Sequence, residues 1–140
     1  MNQVLIFYPV FALVLLSLVV SRVLYVVRRK EIREKKLRMR DIALSGDIAK
    51  AISDTRSADN YRNLFEMPVL FYVLCVVLYV TQGVNMAFLV AAWLYVALRY
   101  AHTYVHCTSN RVKYRFIAFA VSAFLLGGMW CAWFAVQITK

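Results

Sequence analysis

Four long apolar stretches, separated by shorter polar segments, dominate the pattern of the chain. They run approximately over residues 4–27, 64–82, 86–107 and 116–138. About 20 helical residues cross roughly 30 Å of hydrocarbon, because each residue adds about 1.5 Å. The pattern therefore predicts an all-α integral membrane protein, a four-transmembrane-helix bundle that forms a single domain over residues 1–140.

Composition supports the membrane assignment. Of the 140 residues, 63% are hydrophobic, and the mean hydropathy is +0.64. Soluble domains of this size are far less apolar. The first stretch has no basic n-region, a core too long for a signal peptide and no small-x-small cleavage site after it. We therefore expect it to remain as the first transmembrane helix.

The basic residues predict the orientation in the membrane. Residues 28–62 carry eleven of the 17 Lys and Arg residues, and three more (Arg111, Lys113 and Arg115) lie between the third and fourth stretches, whereas 83–85 has none. By the positive-inside rule, both basic segments are cytoplasmic loops and both termini lie outside. We expect a multi-pass protein of a bacterial inner membrane.

The charge and the cysteines argue against two other classes of protein. The net charge of +10 is explained by juxtamembrane Lys and Arg, which attract anionic membrane lipids at around 1 kcal/mol each, so nucleic acid is not expected as a partner. The three cysteines show no CxxC spacing, which argues against a disulfide framework and a zinc knuckle.

Ionisable residues enter the second and third stretches at one predicted depth. Glu66 lies in about the first turn of the second helix, and Arg99 and His102 lie one to two turns from the same surface. Such side chains cost on the order of 2–3 kcal/mol each in the membrane unless they are paired or wetted. An Arg99–Glu66 ion pair would relieve both.

Helical spacing collects the polar residues on two faces, which predicts a cavity between them. The sets are Arg99, His102 and His106 on the third helix and Arg62, Asn63 and Glu66 on the second. In the alternative interpretation, Glu66 and Arg99 form a structural strut, and Arg62 and Asn63 lie among the headgroups.

Metal binding and catalysis by a protein nucleophile find little support. His102 and His106 are four residues apart and could bind a metal with Cys107 or Glu66, but no H-E-x-x-H motif accompanies them, so we expect no metal. No nucleophile elbow, glycine-rich phosphate loop or pair of carboxylates is present in the sequence.

The cationic residues indicate the class of ligand. Arg62, Arg99, Arg111 and Arg115 approach the cytoplasmic mouth of the predicted cavity. Guanidinium groups suit carboxylates, and one Glu and one Asn could receive an ammonium and an amide. This inventory fits a small zwitterionic peptide with excess negative charge.

Several segments resemble one known family. "RNLFEMP" resembles the Arg-Asn-x-x-Glu signature of the second helix in MAPEG proteins, the membrane-associated proteins in eicosanoid and glutathione metabolism. "ALRYAHTYVH" is similar to the third-helix segments of the leukotriene and prostaglandin synthases of that family, and "VVRRK" and "NRVKYR" also match. The resemblance covers nearly the whole chain.

The resemblance implies a four-helix protomer in a homotrimer, with glutathione as co-substrate bound between protomers near the cytoplasmic side. The implied activity is that of a transferase, peroxidase or isomerase acting on a lipophilic electrophile. The residues that match the family's glutathione contacts are Arg62, Asn63 and Glu66 on the second helix, Arg99, His102 and Tyr104 on the third, and Arg28 or Arg29 on the first.

The resemblance also implies an arginine near the start of the fourth helix that stabilises the glutathione thiolate. Arg111 and Arg115 are both eligible for this catalytic role, with a slight preference for Arg111. A free thiol with a pKa of about 8.5 is only slightly ionised at pH 7, so a cation there would favour attack on an electrophile. The chain departs from the family pattern at Asp59, where synthases place another arginine, and at His106 and Phe119, which replace tyrosines.

Two other functions remain open at this stage. The same fold could serve as a non-enzymatic binding or structural module, in which the Arg and Glu residues are structural. A small proton-coupled transporter is the second alternative, although transporters place the coupling carboxylate near the bilayer midplane, whereas Glu66 lies at the edge.

Overall fold

The structure is a computed structural model that describes residues 1–38, 46, 48, 51–53, 55–109 and 111–139. These residues form helices and no strand. A short 3-10 helix, Gln3–Ile6, leads into α1. The α-helices whose bounds lie within the described residues are α1 (Phe7–Glu34), α2 (Arg56–Leu64), α3 (Met67–Val80), α4 (Met86–Cys107) and α5 (Val112–Ile138).

Within the described residues, four segments are long and apolar enough to cross a membrane. They are Gln3–Glu34, Arg56–Val80, Met86–Cys107 and Val112–Ile138. The predicted all-α architecture with four membrane-spanning segments is therefore confirmed, and the chain is a multi-pass membrane protein. We call the end of the bundle at which α1 ends and α5 begins the basic end.

The first helix continues beyond its predicted end near residue 27 and ends at Glu34. Charged residues extend it because they pair at helical spacing: Lys30 lies 3.9 Å from Glu34, and Lys35 lies 3.1 Å from Glu31. The first and last parts of the predicted loop 28–62 are thus helical. Its positions 39–45, 47, 49, 50 and 54 lie outside the described residues.

The second span is broken at Phe65 and Glu66, between α2 and α3. Pro68 lies in the first turn of α3, where its missing N–H costs little, and it cannot continue a helix from α2. Glu66 is the N-cap of α3, with non-helical φ and ψ of −96° and −92°. The break frees backbone carbonyls at the end of α2 for other donors.

Apolar residues on the inner faces of the helices form the core, and many large apolar side chains are also exposed on the outer faces. Leu13, Phe71, Leu74 and Leu126 are among the most buried residues. At the end opposite the basic end, the side chain of Gln3 accepts from Val84 N at 2.9 Å and donates to Val84 O at 3.4 Å. These bonds fix the start of the chain against the α3–α4 turn.

Candidate functional site

A cavity of about 210 Å³ lies at the basic end, where α2, α4 and α5 meet. We call it the basic-end pocket. Its wall contains polar groups from three helices and an aromatic side from α5. The lining residues are Asn63, His102, Val112, Arg115, Phe116 and Phe119.

The inner face of α4 supplies the polar residues beside this pocket. Arg99, His102 and His106 have exposed fractions of 0%, 2% and 2%. They lie at i, i+3 and i+7, so a continuous helix turns all three toward the bundle. The predicted shared face of these residues is therefore confirmed.

Arg99 is a fully buried cation that forms no ion pair in the described part of the chain, although the carboxylate of Glu66 acts on it electrostatically. Its Nη2 donates to the carbonyl oxygen of Asn63 at 2.8 Å, and its guanidinium carbon lies 5.9 Å from the centroid of the Phe119 ring. Its Nε and Nη1 are buried and find no hydrogen-bond acceptor within the described part of the chain. Because Asn63 and Phe119 both line the pocket, Arg99 lies directly behind its wall.

The predicted Arg99–Glu66 ion pair does not form as a direct contact. Among the residues that the structure describes, Arg99 has no carboxylate within 4.0 Å, and Glu66 is exposed, although its charge still acts electrostatically on Arg99. The prediction assumed one continuous helix through Asn63 and Glu66. The break at Phe65 and Glu66 removes that helical relationship, so the second helix does not present the expected single polar face.

Two imidazoles on α4 hold both ends of Arg115. The Nδ1 of His102 lies 3.1 Å from the carbonyl oxygen of Arg115, and the Nε2 of His106 lies 3.2 Å from its Nη1. A carbonyl only accepts and a guanidinium only donates, so His102 must carry its hydrogen on Nδ1 and His106 must have a lone pair on Nε2. The Nε2 of His102 is buried and, among described residues, unpartnered.

Contacts behind the pocket fix α2 against α4. Thr103 Oγ1 donates to Asn60 Oδ1 at 3.4 Å, and Asn60 Nδ2 donates to Cys107 Sγ at 3.5 Å. Asn60 is fully buried. These bonds set the position at which Asn63, almost one turn further along α2, reaches the pocket.

The structure divides the residues predicted from the sequence into three groups. Asn63, His102 and Arg115 line the basic-end pocket, and Arg99 lies behind it. Arg28 and Arg29 lie on a separate groove of about 770 Å³ between α1 and Tyr61. The remaining candidates, Arg62, Glu66, Tyr104 and Arg111, are exposed.

His106 was not among the glutathione-binding or catalytic residues expected from the sequence. Its spacing from Arg99 and His102 placed it on the polar face of the third helix, and its spacing from His102 also suggested a metal motif, but neither pattern indicated a contact with Arg115. In the structure the two rings lie 5.5 Å apart between centroids, and each bonds Arg115. Finding this contact requires knowing that α5 packs its first turn against the last turns of α4.

Comparison with known proteins gives one family match. The family model of the MAPEG family matches residues 6–135 of the 140-residue chain. The match begins at the end of the 3-10 helix and ends within α5, so it includes every candidate site residue. No curated protein and no solved structure matches the chain at a significant level.

Proposed function

This chain belongs to the MAPEG family, and we therefore propose that it is a membrane-embedded glutathione-dependent transferase acting on a lipophilic electrophile. MAPEG membership supports membrane glutathione-related transferase or synthase roles in general. In our proposal, glutathione is the co-substrate and its thiol enters the basic-end pocket.

The observation that carries this proposal is the position of Arg115. Arg115 lines a small pocket together with His102, whose Nε2 is buried and has no hydrogen-bond partner among the described residues. A guanidinium stabilises a thiolate by charge and by hydrogen bonds, and such preorganised donors act most strongly where water is excluded.

Arg99 supplies the second argument for an anionic ligand. A buried cation with two N–H groups that find no acceptor among the described residues is costly, and natural proteins retain such costs chiefly at functional sites. Glutathione carries two carboxylates and therefore fits the excess of positive charge around the pocket. We propose that one carboxylate approaches Arg99 by way of Asn63.

The volume of the pocket supports an assembly of several protomers. At about 210 Å³ it is smaller than the roughly 300–1,000 Å³ typical of ligand sites. It can hold the cysteine part of the tripeptide, and the rest needs further surface. We propose that a neighbouring protomer of a homotrimer supplies it, bringing the α1 groove with Arg28 and Arg29 to the pocket.

The proposed reaction is nucleophilic substitution or addition by sulfur. The S–H bond of glutathione breaks, its proton passes to solvent water at the mouth of the pocket, and the electron pair stays on sulfur beside Arg115. The thiolate then forms a C–S bond with the electrophile. In a substitution, the leaving group departs with the electron pair of the bond that breaks. In an addition, the π bond of the electrophile breaks, and its electron pair takes up a proton from water. Phe116 and Phe119 give the pocket an apolar side, which suits an electrophile that arrives from the bilayer.

The test compares Arg115→Met with Arg111→Met in conjugation of glutathione to a chromogenic aryl chloride. We expect Arg115→Met to lower the rate about 10²–10³-fold, as when one preorganised donor is removed. Arg111 is the exposed N-cap of α5 and serves as the matched control, with less than a twofold change expected.

A wild-type rate that survives both single changes and the double change would contradict activation by arginine. The non-enzymatic binding module of the same fold would then be the better interpretation. A loss of conjugation rate in Arg111→Met alone would instead assign stabilisation of the thiolate to Arg111, the residue slightly preferred from the sequence.

A further inference from the structure

We propose that His106 is a positioning residue, which holds the guanidinium of Arg115 at the basic-end pocket through its Nε2 atom. The inference rests on the proposed function, because its effect on catalysis passes through Arg115 and the glutathione thiol. His106 itself is not among the residues that line the pocket cavity.

The geometry joins two turns of different helices. His106 lies in the last turn of α4 and Arg115 in the first turn of α5. Nη1 of Arg115 lies 3.2 Å from Nε2 of His106, which is a hydrogen-bond distance. The imidazole is 2% exposed, so its lone pair is shielded from competing water.

Hydrogen-bond roles fix the state of the ring. A guanidinium has five N–H donors and no acceptor, so Nε2 of His106 must be unprotonated and the neutral ring must carry its hydrogen on Nδ1. A doubly protonated imidazole would have no lone pair for Arg115 and would repel it. The contact therefore exists only with neutral His106.

The bond from His102 to the Arg115 carbonyl holds the backbone from which the Arg115 side chain extends toward His106. His102 holds the backbone carbonyl of Arg115 at 3.1 Å, while His106 holds the far end of its side chain. An arginine fixed at only one end could adopt many rotamers. Fixed at both ends, its remaining N–H groups keep a constant direction.

The charged and titratable groups around His106 come from three helices. Arg115 faces it from α5, Asp59 acts on it from α2, and Arg99 and His102 lie on its own helix. Arg115 is the group among these that the structure places in hydrogen-bond contact with the ring nitrogen. A substitution that removes only the nitrogen lone pair should therefore act on Arg115.

The first test uses His106→Phe and His106→Gln. Phe keeps a ring of similar size without an acceptor, whereas the side-chain oxygen of Gln can replace Nε2. With Phe, we expect the ionisation of bound glutathione thiol to shift upward by about one to two pH units, with a ten- to hundredfold slower conjugation at neutral pH. Gln should restore both to within about threefold, and glutathione affinity should change less than the rate.

Equal effects of Phe and Gln, or an unchanged thiol ionisation in the Phe variant, would overturn the proposal. A wild-type protein that neither binds nor ionises glutathione would contradict the proposed function instead. The contact between His106 and Arg115 then needs a test that involves no glutathione.

The second test is nitrogen NMR of the two histidines. The chain contains only His102 and His106, so ¹⁵N-histidine labelling gives two rings that single substitutions assign. We expect both neutral rings to carry hydrogen on Nδ1, and Arg115→Met to shift Nε2 of His106 toward the value of a free imidazole nitrogen. His102 is the internal control, because its bond goes to the backbone and survives the substitution.

Hydrogen on Nε2 of His106, or a spectrum of His106 unchanged by Arg115→Met, would overturn the inference whatever the outcome with glutathione. Both tests use the full-length protein in detergent. In Arg115→Lys, we expect Nε2 of His106 to keep a hydrogen-bonded chemical shift, since a lysine can still donate to it.

Discussion

Replacing the buried Arg99 with methionine should stabilise the protein. Methionine has a similar length and a flexible apolar chain that fills irregular space. The change removes one hydrogen bond from a charged donor to Asn63, worth about 1.5–3 kcal/mol. It also removes two unsatisfied buried N–H groups, which cost about 1–3 kcal/mol each, and the desolvation of an unpaired cation.

The balance predicts that Arg99→Met raises the free energy of unfolding by about 1–3 kcal/mol. Arg99→Ala relieves the same buried charge but leaves a cavity, and core truncations typically cost about 2–5 kcal/mol. We therefore expect the order of stability to be Met above wild type, with Ala at or below wild type. Comparing the two variants separates the effect of removing the charge of Arg99 from the effect of removing its side-chain volume.

Thermal unfolding in detergent can be followed with a fluorogenic thiol reagent. Cys75 is fully buried and becomes reactive only when the bundle opens, while the partly exposed Cys107 and the exposed Cys131 are replaced by serine in all variants. Each kcal/mol should shift the midpoint by a few degrees in a chain of this size. Glutathione affinity should fall in both variants, since Arg99 is proposed to meet a carboxylate of the ligand.

A lower midpoint for Arg99→Met than for Arg99→Ala would refute this reasoning. So would a loss of more than about 2 kcal/mol in Arg99→Met, which is the range expected when one partner of a satisfied buried pair is removed. Arg99 would then be a structural strut rather than a binding group that lowers stability.

Three further changes test separate parts of the structure. Glu66→Gln should change the free energy of unfolding by less than about 0.5 kcal/mol, because Glu66 is exposed and forms no ion pair in the described part of the chain. A loss of stability above about 2 kcal/mol in thermal unfolding would support the predicted ion pair with Arg99 instead. Asp59→Arg should increase glutathione affinity severalfold by titration, because it places a guanidinium one helical turn before the pocket residue Asn63. Unchanged affinity would place the ligand elsewhere. Gln3→Ala should lower stability by about 1–2 kcal/mol through the lost bonds to Val84, and a neutral result would show that this end is not fixed by them.

The membrane made much of the fold predictable. Hydrocarbon thickness fixes the length of a spanning helix, so hydropathy alone located all four spans. It could not locate the end of α1, because polar residues after 27 continue the helix through local pairs such as Lys35 with Glu31. Pro68 is a sequence signal for a helix start, so the break before it could have been predicted, but the apolar pattern around it suggested one continuous helix.

The relative positions of site residues could be predicted where those residues lie on one regular helix. Arg99, His102 and His106 share a face because α4 is continuous. The predicted direct ion pair between Glu66 and Arg99 did not form, because the prediction assumed a continuous helix where α2 ends and α3 begins. Choosing between Arg111 and Arg115 depended on where the last helix starts.

That last helix begins at Val112 rather than near 116. The earlier start puts Arg115 in the first helical turn, against α4, and leaves Arg111 as an exposed N-cap. Loop residues give no periodic signal from which to infer this. The contact of Arg115 with His106 is likewise a product of packing between α4 and α5.

We propose above that the basic-end pocket binds glutathione with its sulfur as a thiolate beside Arg115. The ultraviolet thiolate absorbance during titration of the detergent-purified protein with glutathione near neutral pH measures this state directly. We expect a saturable thiolate signal that S-methylglutathione displaces, that Arg115→Met abolishes and that Arg111→Met retains. Saturable binding without thiolate absorbance, or a signal that persists in Arg115→Met, would contradict it.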